Sequence, residues 1–241
     1  MNIHLYHYTN FDNCLKIILS QTLLFNHLNK LNDINESFRP LYFKDFENDF
    51  ESMNNKFQSI LDSYQQLSLT IDDRRKGFDI PAMWGHYADK GNGVCLVLDT
   101  EKILSSLMDK VSFYDCVSYS DDYSPEIFTN YKSEKHSNID EEMKNMFFIK
   151  TYDWSYEQEY RILAYAPNEN KRLEQSIKGS LKAIIVHSFD DIEKTESVSA
   201  SSKYKMLQKI LPSEAQILEY SSFLGNRKLI DCNHKTIWSS N

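Results

Sequence analysis

The order of strand-like and helix-like segments is the feature that most limits how this chain can fold. Residues 3–8 alternate apolar and polar side chains as a strand does, whereas residues 41–64 place apolar residues every three or four positions, as a helix does. Further strand-like runs occupy residues 22–25, 67–71, 93–99, 111–119, 159–165 and 181–187. Because helices separate only some of these runs, a regular parallel βαβ sheet is not expected. The order predicts an α+β fold with a mixed, largely antiparallel sheet and flanking helices.

Four more helices are predicted from apolar spacing and end signals, over residues 11–19, 81–89, 139–150 and 203–211. Thr9 or Asn10 is a suitable N-cap for the first of them, and Pro81 suits the first turn of the second. The aromatic stripe of the long helix at about 41–64 is typical of core packing. We expect one domain over residues 1–241, with this long helix as an insertion.

Composition excludes several classes of protein. No apolar run approaches the roughly 18 residues of a membrane helix, and the first residues do not resemble a signal peptide, so we expect a cytoplasmic protein with no membrane association. The four cysteines are widely scattered, which favours free thiols over disulfides or a structural metal. A net charge of −8 argues against a protein that coats duplex DNA, although not against an enzyme that contacts a strand locally.

Three aromatic-rich clusters carry residues suited to chemistry. His7 ends the inward-facing row of the first strand, where an imidazole nitrogen could hydrogen-bond a ligand. Trp84 and Tyr87 are three residues apart on a predicted helix and could present a flat aromatic surface. In the third cluster, strand spacing would put Glu157, Glu159 and Arg161 on one face, where a fixed carboxylate could oppose a developing positive charge. Each cluster also has a structural explanation: a core histidine, aromatic packing and a surface ion pair.

Four segments together resemble a bacterial family of domains of unknown function. They are LYHYT, LNDINES, MWGHYADKGNGVCLVLD and WSYEQEYRI, and they occur in that order between about residues 3 and 187. That family is in turn more distantly similar to ADP-ribosyltransferases of the His-Tyr-Glu type and to DarT-type toxins that modify nucleic acid.

This resemblance implies an enzyme that uses NAD as co-substrate. His7 would hydrogen-bond the ribose that carries nicotinamide, Tyr87 would stack on the nicotinamide ring, and Glu159 would stabilise the cationic sugar as nicotinamide leaves. Glu157 is the alternative carboxylate. The expected NAD-binding residues are Tyr8, Thr9, Trp84 and Arg161. The implied acceptor is a nucleic acid or a protein, the implied setting is phage defence or a toxin–antitoxin system, and an antitoxin is a possible partner.

Two other functions are compatible with the sequence. Asp33, Glu36, Glu157 and Glu159 could hold Mg²⁺ in a metal-dependent nuclease or hydrolase, although no compact metal-binding motif joins them. Alternatively, the chain could be an interaction module that keeps the fold without the chemistry, in which case NAD would not stabilise it.

Overall fold

A large mixed sheet organises the structure. The computed structural model describes residues 4–30, 61–121, 147–167, 170–188, 202–223, 226–233 and 235–240, with residues 55, 58 and 59. Its strands are β1 (His4–Thr9), β2 (Thr22–Leu24), β3 (Asn26–His27), β4 (Tyr64–Ile71), β5 (Val94–Asp99), β6 (Val111–Cys116), β7 (Ser118–Tyr119), β8 (Ile149–Lys150), β9 (Glu159–Tyr165), β10 (Glu174–Ser176), β11 (Leu181–Ser188), β12 (Gln216–Phe223), β13 (Asn226–Ile230) and β14 (Thr236–Ser239).

Within these ranges, ten strands form one sheet in the order β14-β13-β12-β11-β5-β1-β4-β9-β6, with β3 also paired to β4. The β11–β12 pair is parallel and the other pairs of this sheet are antiparallel. Two small sheets, β10-β2 and β7-β8, lie beside it. The α+β fold with a largely antiparallel sheet is therefore confirmed.

The α-helices flank this sheet. Those with both ends in the described residues are α1 (Phe11–Ser20), α2 (Pro81–Tyr87), α3 (Thr100–Ser105) and α4 (Ser202–Ile210), and a 3₁₀ helix spans Tyr152–Glu157. Asn10 is the N-cap of α1, and its side-chain oxygen accepts a hydrogen bond from the Asn13 amide at 2.8 Å. Pro81 occupies the first turn of α2, as the sequence predicts. No helix in the described residues is long and apolar enough to cross a membrane.

Each face of the sheet is covered by its own hydrophobic core. Leu5 of β1 packs in one core together with side chains of α1 and α4, whereas Tyr6 and Tyr8 pack in the other core against α2 and β12. This separation follows from the two-residue repeat of a strand. The alternation predicted for residues 3–8 is confirmed for the part that the structure describes.

Three predicted elements differ in the structure. The helix predicted over residues 139–150 lies partly outside the described residues, and its last two residues form β8, which pairs with β7. Residues 111–119 form two strands separated by Val117. The helix predicted at about 41–64 falls mostly outside the described residues. Of those described, residues 55, 58, 59 and 61–63 are helical, whereas the last residue, Tyr64, belongs to β4 and pairs with Tyr165.

Candidate active site

A cavity opens where β1 and β4 part. β1 pairs with β5 along its whole length, from His4 to Thr9. Its register with β4, in contrast, pairs Leu5 with Ile71 and Tyr6 with Thr70 and then ends. Residues 6–9 of β1 and 66–70 of β4 line a cavity of about 480 Å³. This volume falls in the range of roughly 300–1,000 Å³ that is typical of small-molecule sites.

His7 stands on the β1 side of this cavity. Burial lowers the pKa of its imidazole from 6.5 to about 4, although a hydrogen bond to the backbone of Ser68 in β4 acts in the opposite direction. The ring is therefore neutral at pH 7. A neutral imidazole that donates to a backbone carbonyl keeps its other ring nitrogen as an acceptor, which suits a ligand hydroxyl.

Glu159 and Arg161 form a buried ion pair at the start of β9. The guanidinium donates from Nε to Oε1 of Glu159 at 2.9 Å and from one Nη to Oε2 at 2.7 Å. Only 3% of Glu159 and 1% of Arg161 is exposed, so the surface ion pair considered from the sequence is excluded. Burial raises the pKa of Glu159, but the charges of Arg161 and Lys150 outweigh it and hold the pKa at about 2. Glu159 is thus a fixed anion at neutral pH.

Glu157 reaches the same cavity from a different element. It ends the 3₁₀ helix and is not part of β9, so the prediction that it shares a strand face with Glu159 is wrong. Gln158 between them adopts a left-handed conformation (φ 46°) and turns the chain. The Gln158 amide holds this turn by donating to the carbonyls of Ile71 and Arg75 at 2.8 and 2.9 Å. The turn explains how both carboxylates line one cavity.

Lys150 and Tyr87 both bind Glu157. The Lys150 ammonium lies 2.6 Å from Oε2 of Glu157 and 3.2 Å from Oε2 of Glu159. The Tyr87 hydroxyl donates to Oε1 of Glu157 at 2.5 Å. Burial raises the pKa of Glu157, and the charge of Lys150 opposes that rise. Burial and the neighbouring Glu157 also raise the pKa of Tyr87, so its hydroxyl stays protonated and remains a donor.

The three predicted catalytic residues all contribute to the lining of one cavity. His7 from β1, Tyr87 from the end of α2 and Glu159 from β9 all line this cavity. Of the predicted NAD-binding residues, Tyr8 and Thr9 line it as well. The Tyr8 ring, however, packs edge-on against Trp84, and its hydroxyl donates to the Gly77 carbonyl at 2.6 Å. The side chain of Tyr8 is thereby engaged in the core beside the cavity.

Trp84 and Arg161 are the predicted ligand-binding residues that the structure places elsewhere. The Trp84 indole stacks on Tyr220 with ring centroids 5.7 Å apart, and its Nε1 donates to the Phe78 carbonyl at 2.8 Å. The aromatic packing considered from the sequence is therefore the role that Trp84 has. Arg161 lies behind Glu159 and also donates to the Phe147 carbonyl, so it positions the carboxylate without lining the cavity.

Several cavity residues were missed by sequence reasoning. The most important is Lys150, because a lysine within a helix-like run gives no sign of burial between two carboxylates. Gln66 was also missed, and its amide donates to Oε1 of Glu159 at 3.2 Å. For Gln66 a signal exists, since the polar residues Gln66, Ser68 and Thr70 alternate with leucines along β4. Such alternation in an inner strand indicates a polar cavity on one face.

Comparison with known proteins identifies one family. Residues 83–162 match the family described as "Protein of unknown function (DUF2971)", a segment of about a third of the chain that includes Tyr87, Lys150, Glu157 and Glu159 but not His7. No curated protein and no solved structure gives a significant match. Residues 83–162 are thus similar to DUF2971 within an α+β fold. The more distant similarity to ADP-ribosyltransferases is a prediction that these comparisons leave untested.

Proposed function

We propose that this protein is an NAD-dependent ADP-ribosyltransferase whose reaction takes place in the cavity between β1 and β4. The observation that carries the proposal is the meeting of a neutral histidine, a tyrosine ring and an ionised, immobilised glutamate in one cavity of ligand size. These three groups come from sequence positions that are far apart, so chain proximity does not account for their meeting.

The residues fit an NAD molecule in chemical terms. The Tyr87 ring lines the cavity and is oriented by its hydroxyl bond to Glu157, so a flat pyridine ring could lie against it. The neutral His7 can accept a hydrogen bond from a ribose hydroxyl without adding a positive charge beside a cationic ring. Glu159 supplies a negative charge that does not depend on pH in the physiological range.

When bound, NAD supplies an activated ribose whose bond to nicotinamide breaks with a build-up of positive charge on the sugar. Glu159 opposes that charge with a carboxylate already held by Arg161, so little reorganisation is needed during the reaction. The acceptor must lose a proton as it bonds to the sugar. Glu159, with a pKa of about 2, is too weak a base to hold that proton, which therefore passes to water.

The metal-dependent alternative is less well supported. No group of three His, Cys, Asp or Glu side chains is arranged to hold a metal in the part of the chain that the structure describes, and Asp33 and Glu36 lie outside that part. Glu157 and Glu159 are instead paired with Lys150 and Arg161, so a cation would have to compete with two buried positive charges.

Transfer of a labelled ADP-ribose group from NAD tests the proposal. Purified protein is incubated with biotinylated NAD and with separate RNA, DNA and protein fractions of a cell extract. We expect label in one fraction, and a loss on the order of a hundredfold or more in the Glu159→Gln variant. Asp153→Asn is the matched control, because it removes an exposed carboxylate six residues before Glu159, in the 3₁₀ helix that precedes β9, and Asp153 does not line the cavity.

The outcome also decides the wider biological proposal. Label on nucleic acid or protein would support a cytoplasmic, toxin-like effector of phage defence or of a toxin–antitoxin system, for which an antitoxin is the expected partner. Equal labelling by wild type and Glu159→Gln would exclude the proposed catalytic role. Activity that disappears with EDTA and returns with Mg²⁺ would favour the metal-dependent alternative instead.

A further inference from the structure

Lys150 links the two carboxylates of the cavity to the tyrosine ring. Its ammonium contacts Oε2 of Glu157 at 2.6 Å, and Oε1 of the same carboxylate accepts the Tyr87 hydroxyl at 2.5 Å. Lys150 also lies 3.2 Å from Oε2 of Glu159, which Arg161 holds from the other side. The chain of contacts therefore runs from Arg161 through Glu159, Lys150 and Glu157 to Tyr87.

This cluster is buried and balanced in charge. The side chains of Lys150, Glu157 and Glu159 are 7%, 6% and 2% exposed, and that of Arg161 is 1% exposed. Two cations thus face two anions in a region from which water is largely excluded. Removing one partner of such a cluster leaves an uncompensated buried charge, and the usual response is a shift of protonation in the group that remains.

Glu157 is the group placed to respond. If Lys150 is removed, Glu159 keeps its two hydrogen bonds from Arg161. Glu157, in contrast, loses the ammonium group that contacts it. Among the described residues, the charged and titratable groups that face Glu157 are Lys150 of β8, Glu159 of β9, Tyr87 of α2, Tyr119 of β7 and Tyr156 of its own 3₁₀ helix. Within this set, Lys150 is the positively charged group that stabilises the ionised form of Glu157.

We propose that Lys150 is a positioning residue that keeps Glu157 ionised and thereby fixes the Tyr87 ring against the cavity. Glu157 then connects the Lys150 ammonium to the Tyr87 hydroxyl and holds the tyrosine in place. Glu159 is the carboxylate that faces the reacting sugar. This division of roles rests on the proposed transferase function, because it assigns Tyr87 and Glu159 to the same ligand. It also separates the two glutamates, which sequence reasoning could not do.

The first arm of the test needs no NAD. Glutamate carboxyl groups are labelled with ¹³C, the Glu157 signal is assigned with a Glu157→Gln variant, and its titration is followed by NMR. In Lys150→Met the midpoint of Glu157 should rise by about one pH unit or more, and in Lys150→Arg it should stay near that of the wild type. Lys178→Met is the control, since Lys178 is exposed and does not line this cavity.

The second arm measures nicotinamide release from NAD across pH. Lys150→Met should lose at least tenfold in kcat/KM at neutral pH and recover part of that loss at higher pH, where Glu157 ionises again. Lys150→Arg should keep most of the activity and the pH profile. The inference would be overturned if Lys150→Met lost the same share of activity at every pH and Lys150→Arg did not restore it. That result would show that the lysine has a purely structural role.

The two arms separate the inference from the function on which it rests. If the Glu157 midpoint moves as expected but wild-type protein never releases nicotinamide, the transferase proposal fails while the role of Lys150 in setting the charge of Glu157 stands. An unchanged Glu157 midpoint in folded Lys150→Met overturns the inference whatever the activity. If Lys150→Met does not fold, Tyr87→Phe removes the last contact of the series, between Tyr87 and Glu157. This variant should raise KM for NAD more than the Lys178→Met control does.

Discussion

At the scale of single residues, the cavity holds two ionisable groups in opposite environments. Burial without a strong charged partner leaves His7 neutral, whereas burial beside Arg161 and Lys150 leaves Glu159 ionised. Both groups depart from their usual values because of where they sit in the sheet, and both departures lower the pKa. Together they provide one neutral acceptor and one fixed anion across a wide range of pH.

The state of His7 can be measured directly. We predict that its imidazole titrates with a midpoint near pH 4, because the protonated ring would be charged inside the protein. The measurement is an NMR titration of the histidine ring protons, with the His7 signal assigned by a His7→Asn variant. A midpoint near 6.5, the value of a solvated imidazole, would contradict the account and place the ring in open water.

Strand periodicity made part of the site predictable at this scale. A two-residue repeat is sufficient to place His7 on one face of β1 and to put Glu159 and Arg161 on the same face of β9. The contact of Lys150 with both glutamates is not predictable in this way. Lys150 lies at the end of a segment with a helical pattern, but in the structure it belongs to β8, which pairs with β7. No local sequence pattern indicates this pairing.

At the scale of elements, α2 separates a core residue from a cavity residue. Trp84 and Tyr87 are about one turn apart, yet Trp84 packs against Tyr220 and Tyr87 lines the cavity. The helical spacing correctly indicates that both residues lie near one another, but it does not show where the core beneath α2 ends. That boundary is set by the neighbouring strands, in particular by the point at which β1 and β4 part.

The position of Trp84 leads to a prediction about stability. Trp84→Ala should lower the free energy of unfolding by about 3–5 kcal/mol, because it removes a large buried ring. Trp84→Phe should lower it less and should leave the affinity for NAD unchanged. Urea unfolding measures the first effect and calorimetric titration the second.

A matched control uses an exposed aromatic residue of the neighbouring 3₁₀ helix. Tyr152 is 53% exposed, so Tyr152→Ala should change the free energy of unfolding by only about 0.5 kcal/mol or less. If folded Trp84→Phe instead lost most of its affinity for NAD, Trp84 would be a ligand-binding residue and its assignment to the core would be incorrect.

At the scale of the whole molecule, one sheet supports three hydrophobic cores in the described residues and an opening between two of its strands. The fold class followed from the irregular order of strands and helices, and the structure confirms it. The order of the strands could not be predicted in this way, because β1 lies between β5 and β4 through pairs of residues that are 64 to 95 positions apart in the sequence. Long-range pairing of this kind depends on the combined burial of many side chains, so no single segment predicts it.

The buried ionisable groups predict a defined pH range of maximal stability. The folded pKa values of His7 and His187, about 4, lie below the usual 6.5, so their contribution is complete above pH 6.5 and is lost as pH falls through 4. The contribution of Glu159 to stability is likewise complete above pH 4.5 and is lost as pH falls to about 2, because its folded pKa is lowered to about 2. The raised pKa of Glu157 partly opposes this contribution. The pKa of Tyr160 rises from 10 to about 12, so its contribution is lost as pH rises through 12.

Burial also raises the pKa of Cys14 from 9.0 to about 12, so its contribution begins to be lost above pH 9. We therefore expect the free energy of unfolding to be greatest between about pH 6.5 and 9 and to fall on both sides. Urea unfolding at a series of pH values measures it, and His7→Asn should flatten part of the decline between pH 6.5 and 4. A protein that became more stable as pH fell from 7 to 4 would contradict these assignments, because the buried histidines would then be gaining protons more readily than in the unfolded chain.

The central claim is that His7, Tyr87 and Glu159 meet at the bond between nicotinamide and its ribose. A crystal structure of the Glu159→Gln variant with NAD tests this claim most directly, since the slow variant preserves the bond. The account predicts the nicotinamide ring against Tyr87 and its ribose between His7 and residue 159, inside the cavity between β1 and β4. A cavity that stays empty at saturating NAD, or a dinucleotide bound elsewhere on the protein, would contradict it.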